Sequence, residues 1–176
     1  MKKTKARLYI DIDDTILGRY LPCTFLELRP GVIGQLGVLS RLFDCRWLTC
    51  WPWENEKGQD IKSLLRVLYA HELINEIPYQ KWGYPGGKSA AVLQTGQPTD
   101  FWWLEDQLGK DELADLEKAG RLDRYVHVFS RGAWAFADSC LTLFKKTGIT
   151  EQDIASRGGH IRMFQKERYL DPVVWP

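Results

Sequence analysis

The alternation of apolar and polar positions divides the chain into short strands and amphipathic helices. Leu8, Tyr9 and Ile10 begin an apolar run that ends in the acidic cluster Asp11, Asp13 and Asp14, the pattern of a buried strand running into a polar loop. Residues 18–30 read as a loop. Over 31–43, Val32, Ile33, Leu36, Leu39, Leu42 and Phe43 recur at helical spacing, with Pro30 placed for a helix start. A second apolar run over 45–49 ends in Thr49, and a turn region over 55–60 precedes a helical pattern over 61–71. The glycine- and proline-rich stretch 79–87 predicts a loop that opens a short helix over 88–94. A third strand over 99–104 delivers Glu105 and Asp106 at its end, and an exposed helix over 111–119 closes at Gly120. A fourth strand covers 125–129, and a further helix over 137–146 has Gly148 past its end.

Strands alternating with helices predict an α/β fold, a mostly parallel sheet with helices on both faces. No repeat, low-complexity tract or linker divides the sequence, so 1–176 reads as a single domain. The 44% of hydrophobic and 27% of charged residues argue against a disordered, collagen-like or coiled-coil chain. Basic residues number 24 and acidic residues 23, so no whole-molecule field draws the chain to nucleic acid or to an anionic membrane, and any polyanion site must be local. The apolar stretch 36–42 is far short of the roughly 20 residues that cross a bilayer, which predicts no membrane association. The cations Lys2, Lys3, Lys5 and Arg7 precede too short an apolar run for a secretion signal. Cys23, Cys45, Cys50 and Cys140 form no CxxC pair, so they read as reduced, buried thiols, and the expected location is cytoplasmic.

Candidate chemistry begins at Asp11-Ile12-Asp13-Asp14-Thr15. Two carboxylates one residue apart can project from a strand end toward one site, where a divalent cation would offset their repulsion. Thr49 ends the next apolar run, Lys88 opens a helix, and Glu105-Asp106 ends a strand. In a parallel sheet the carboxyl ends of the strands share one edge, so these groups can meet in one crevice although they are far apart in sequence.

In that order the motifs resemble those of the haloacid dehalogenase-like (HAD) superfamily of phosphohydrolases. The first motif is matched by Asp11-Ile12-Asp13-Asp14-Thr15, the second by Thr49, the third by Lys88 in preference to Lys81, and the fourth by Glu105-Asp106. Arg29-Pro30-Gly31-Val32 is similar to the start of a helix common in this superfamily, and Gly148-Ile149-Thr150-Glu151 resembles the ending of a subgroup associated with RNA repair proteins. The resemblance implies a HAD-like Rossmannoid fold with a small or absent cap, because the segment over 51–87 is too short for a large one. It implies Asp11 as the nucleophile that forms an aspartyl-phosphate and Asp13 as the general acid and base. It implies Mg²⁺ held by Asp11, the Asp13 backbone carbonyl and the pair Glu105 and Asp106, with Lys88 and Thr49 binding the equatorial phosphoryl oxygens. The family usually has aspartate where this chain has Glu105, so either the loop compensates for the extra methylene or Asp106 takes over.

The expected substrate is a phosphomonoester, either a phosphorylated small molecule such as a nucleotide or a nucleic-acid terminal phosphate. Trp47, Trp51, Trp53, Trp82 and Tyr84 flank the second and third motifs as candidate base-stacking faces, and Arg157, Arg162, Lys166 and Arg168 are candidate phosphate contacts. His71, His127 and His160 fall in no metal-ligand spacing, and core or sheet-face positions are expected for them. Ser130 and Ser139 lack a nucleophile-elbow setting, and Gly83 to Lys88 departs from the Walker pattern. Two alternatives remain on the same fold, a non-catalytic module that binds a phosphorylated or nucleic-acid ligand, and a purely structural domain with acidic decoration.

Overall fold

Four parallel strands in the order β4-β1-β5-β6 form the sheet of the computed structural model, which describes residues 5–19, 26–49, 76–80, 82, 87–94, 100–129 and 132–165. β1 (Arg7–Ile10) lies at the centre, pairing Ile10 with Trp47 of β4 (Asp44–Trp47) on one side and with Leu104 of β5 (Phe101–Glu105) on the other. β6 (Tyr125–His127) extends the sheet beyond β5, with Glu105 opposite His127. Tyr79 adds a single parallel bridge beside Trp47 of β4. All five residues of β5 are buried, as expected of a strand covered on both faces.

The pleat sends alternate residues of the central strands to two cores. Leu8, Ile10, Trp102 and Leu104 face α1 (Val32–Leu42) and α4 (Ala135–Thr147), where Leu36, Leu39, Phe136 and Leu143 complete the packing. Tyr9, Phe101 and Trp103 face α2 (Gly87–Leu93) and α3 (Lys110–Lys118), against Val92 and Leu116. Each fully buried aliphatic or aromatic side chain contributes about 1.5–3 kcal/mol of transfer free energy, so these two layers hold the sheet edges in place. The expected α/β fold with helices on both faces is thus observed.

The limits of the expected strands and helices that are described differ from expectation by one to three residues, and further elements were not expected. Residues 18–30, expected to be a loop, include an antiparallel pair, β2 (Leu17–Arg19) and β3 (Leu26–Leu28), with Leu17 opposite Leu28. Three-residue strands are too short to show a period of two, which is why the pattern missed them. Beyond α4, Gly148 adopts φ 70° as a left-handed cap, and Thr150 caps α5 (Glu151–Ser156) by accepting from the Asp153 N–H while the Asp153 carboxylate accepts from the Thr150 N–H. The stretch that resembles a subgroup ending therefore has a local structural role, joining two helices. Gly159 lets the chain close on α1, since a Cβ there would stand 2.7 Å from the Val38 side chain.

The expected helix over 61–71, most of the cap segment (51–75, 81 and 83–86), Cys23, Cys50, Trp51, Trp53, His71, Lys81, Tyr84, Ser130, Lys166 and Arg168 lie outside the described residues. Cys45 and Cys140 are free, buried thiols, and burial pushes Cys45 up to about 12 and Cys140 well above its ordinary value, which leaves both unreactive. Among the described residues no helix is long and apolar enough to cross a membrane.

Candidate active site

Register places the acidic residues at the carboxyl edge of the sheet. The Asp11 N–H donates to the Leu104 carbonyl at 3.0 Å and the Leu48 N–H to the Ile10 carbonyl at 2.9 Å, so Asp11 leaves β1 between the ends of its two neighbours. Glu105 closes β5 beside it. Carboxylate oxygens of Asp11, Glu105 and Asp106 all lie within 4.8 Å of one another. Lys88, the second residue of α2, reaches into this group and places its ammonium 2.8 Å from Asp11 Oδ1 and 2.5 Å from Glu105 Oε2. Packing of α2 against α3 sets that approach, because Glu112 accepts from the Lys88 N–H at 3.1 Å and Asp115 accepts from the Ser89 hydroxyl at 2.6 Å.

Electrostatics reflects two buried carboxylates sharing one ammonium. Burial raises Asp11 against the lowering pull of Lys88. Burial raises Glu105 as well, and the charge of Asp11 adds to the effect. Burial alone would lower Lys88, but the charges of Glu105 and Asp11 outweigh it and hold the ammonium protonated. Asp13, half-buried on the same loop, is pushed up to about 7 by burial and by the charges of Asp11 and Asp14. Its Oδ1 is buried and makes no hydrogen bond.

Loop shape follows from Asp14 and Arg29. Asp14 takes φ 47°, a left-handed conformation that glycine adopts most readily and aspartate tolerates. Arg29, buried at the end of the β2–β3 hairpin, donates to the Asp14 carbonyl at 2.6 Å, to the Thr15 carbonyl at 2.8 Å and to the Gly132 carbonyl. One planar guanidinium thus clamps the acidic loop to the segment that follows β6. The sequence reading placed Arg29 only in a helix start and assigned it no part in the site, since a bond to backbone carbonyls leaves no mark in a motif.

Other sequence-predicted residues fall in several places. Thr49 is fully buried one residue beyond Leu48, at the same sheet edge as Asp11, and its carbonyl accepts from the Trp82 indole N–H at 2.7 Å. Trp47, expected at the site mouth, is instead fully buried among the α1 and α4 side of the core, because the β4 pleat turns it inward. Trp82 remains half-buried beside Thr49. Arg157, a candidate phosphate contact, lines a cleft of about 470 Å³ with Lys5, Asp100, Asp123, Arg124 and Lys146. These residues gather at the amino-terminal edge, the end of the sheet opposite the carboxylates, so Arg157 cannot serve the same crevice. His160 caps a turn by accepting the Arg162 N–H at 3.1 Å, and Ser139 is buried with its hydroxyl on the His127 carbonyl at 2.9 Å.

A hard, oxygen-preferring divalent cation fits this donor set. Three convergent carboxylates, the orphaned Asp13 Oδ1 and the surplus of acid over Lys88 among the described residues all favour an added positive charge, and all donors are the oxygens that Mg²⁺ or Ca²⁺ selects. Glu105 and Asp106 both bring an oxygen to the group, so the longer side chain at 105 does not remove it from the site. No family model, curated protein or solved structure matches the chain.

Proposed function

We propose that the protein is a Mg²⁺-dependent phosphomonoester hydrolase of the HAD-like kind, working through a phosphoryl group carried on Asp11. The observation that carries this reading is the convergence of Asp11, Glu105, Asp106 and Lys88 at the carboxyl edge of a parallel sheet. Asp11, Glu105 and Asp106 would hold the cation, which when bound neutralises the carboxylates and polarises the phosphoryl oxygens.

The remaining steps belong to the chain. An Asp11 carboxylate oxygen attacks phosphorus, and the bond from phosphorus to the leaving oxygen breaks. Asp13, whose carboxyl is raised by burial and by the neighbouring charges of Asp11 and Asp14, gives its proton to that oxygen. The Asp13 carboxylate then takes a proton from water as the water oxygen attacks phosphorus, and the bond to Asp11 breaks to release inorganic phosphate. Lys88 offers an ammonium to the charge that builds on the equatorial oxygens, and Thr49 offers its hydroxyl from the adjacent strand end. Arg29 keeps the Asp14 and Thr15 carbonyls fixed, so that Asp11 and Asp13 hold their relative positions.

Trapping the intermediate tests this reading. The parent protein, mixed with p-nitrophenyl phosphate and Mg²⁺ and quenched in acid, is expected to carry one phosphoryl group on the peptide that contains Asp11. An unmodified peptide under conditions of measured turnover would exclude Asp11 as nucleophile. Binding of a phosphorylated ligand with no turnover of any ester would favour the non-catalytic module.

A further inference from the structure

Among the described residues, Phe129 is an exposed aromatic ring that stands past the carboxyl end of β6. Among the described residues the exposed large apolar side chains are Leu113, Leu122 and Phe129, and Phe129 is the most open at 66%. Leu113 belongs to α3 and Leu122 to the turn before β6, whereas Phe129 stands past the carboxyl end of β6. Glu105 is opposite His127, and the Val128 N–H donates to the Glu105 carbonyl at 3.0 Å. Phe129 is therefore one strand across from Glu105 and two residues further out, a rise of roughly 7 Å. A leaving group that runs outward from the carboxylates and Lys88 across β5 and β6 would pass this ring.

The ring is also held in place. Tyr125, His127 and Phe129 share one face of β6, since Val126 and Val128 turn into the core on the other. His127 meets Phe129 edge to face, with centroids 4.6 Å apart and planes at 90°. The Tyr125 hydroxyl lies 2.7 Å from His127 Nδ1 and 3.2 Å from the Glu105 carbonyl, which ties the pair to the strand that carries the acidic site. An edge-to-face neighbour leaves a face of the aromatic pair open to a planar partner. An oriented, solvent-facing ring beside a phosphoryl site is the arrangement on which bases stack.

We propose that Phe129, supported by His127, is a stacking subsite for the leaving group, which makes the substrate class a phosphomonoester bearing a planar ring of the nucleobase type. This inference rests on the phosphohydrolase reading above. It places a stacking face on the strand on the other side of Glu105 from Thr49.

Adenosine 5′-monophosphate and ribose 5-phosphate share the same phosphorylated primary alcohol and differ in the base, so their ratio of kcat/KM isolates stacking. The parent is expected to prefer the adenosine ester by about tenfold, with Phe129→Ala abolishing the preference and Phe129→Trp retaining it. A ratio that Phe129→Ala leaves unmoved would overturn the subsite while the hydrolase reading stands. Calorimetry with the same two esters on Asp11→Asn and on the double variant Asp11→Asn/Phe129→Ala separates the two ideas. Tighter adenosine 5′-monophosphate binding that the Phe129 change removes, without turnover in the parent, would sustain the subsite and sink the hydrolase. Neither turnover nor binding would overturn both. A parent dimer that Phe129→Ala dissociates, with ester binding unchanged, would assign the ring to a contact between copies and overturn the subsite.

Discussion

At the amino-terminal edge of the sheet, acids and cations are matched one to one with the acid partly exposed: Arg7 meets Asp44 at 2.7 Å, and Arg124 meets Asp100 at 2.9 Å while its guanidinium stacks 4.8 Å from the Trp102 ring centroid. At the carboxyl-terminal edge, Asp11, Asp13, Asp14, Glu105 and Asp106 crowd one side of the molecule, and among the described residues Lys88 is the cation in ion pairs there, with Asp11 and Glu105. The same strands run through both ends. The matched pairs keep access to water and add little to stability. Asp11 and Glu105, at the centre of the mismatched group, are buried, so their charge opposes folding unless something external offsets it. Natural chains keep such a cost where function needs it, and that contrast is the physical reason for placing the chemistry at the carboxyl edge.

Six substitutions and the addition of Mg²⁺ would break or sharpen the contrast. Lys88→Met removes the shared ammonium and leaves Asp11 and Glu105 without it, so urea unfolding of the metal-free protein is expected to show a loss of about 3–5 kcal/mol. Arg29→Met removes three bonds to backbone carbonyls, and a loss of about 2–4 kcal/mol is expected in the same assay. Arg29→Lys should recover part of that stability yet still lower kcat more than it raises KM, because one ammonium cannot span all three carbonyls. Mg²⁺ at a hundred times its dissociation constant should add about 2.7 kcal/mol to the parent, and Asp106→Asn should remove most of that gain at the same Mg²⁺ concentration. At the opposite edge, Arg7→Ala and Arg124→Ala are expected to cost under about 1 kcal/mol for the lost ion pair, with no change in the response to Mg²⁺. An amino-edge loss as large as that of Lys88→Met would erase the distinction between the edges.

Much of this was legible in the sequence, for reasons that particular residues make clear. The central strand β1 could be read because Leu8, Tyr9 and Ile10 form a continuous apolar run ending abruptly in acid. The helices α1 and α4 could be read because their apolar residues repeat over several turns. Lys88 could be placed because glycine-rich loop and helix adjoin at that residue. The β2–β3 hairpin could not, since pairing Leu17 with Leu28 is a tertiary fact about strands of three residues. Trp47 was misplaced because a short strand's facing depends on register, and a shift of one residue exchanges core for rim. Arg157 was misplaced because sequence order does not say which end of a sheet a later helix reaches. Phe129 was passed over as the last residue of an alternating strand, whereas the pairing of β6 ends two residues earlier and leaves its ring in the open.

The most direct test of the account is phosphate release from p-nitrophenyl phosphate by the parent, with and without Mg²⁺, beside Asp11→Asn and Asp13→Asn. The account predicts turnover that requires Mg²⁺ and falls at least about a hundredfold in either variant, the usual scale for losing a nucleophile or a general acid. Turnover that persists in Asp11→Asn, or that is indifferent to Mg²⁺, would contradict it.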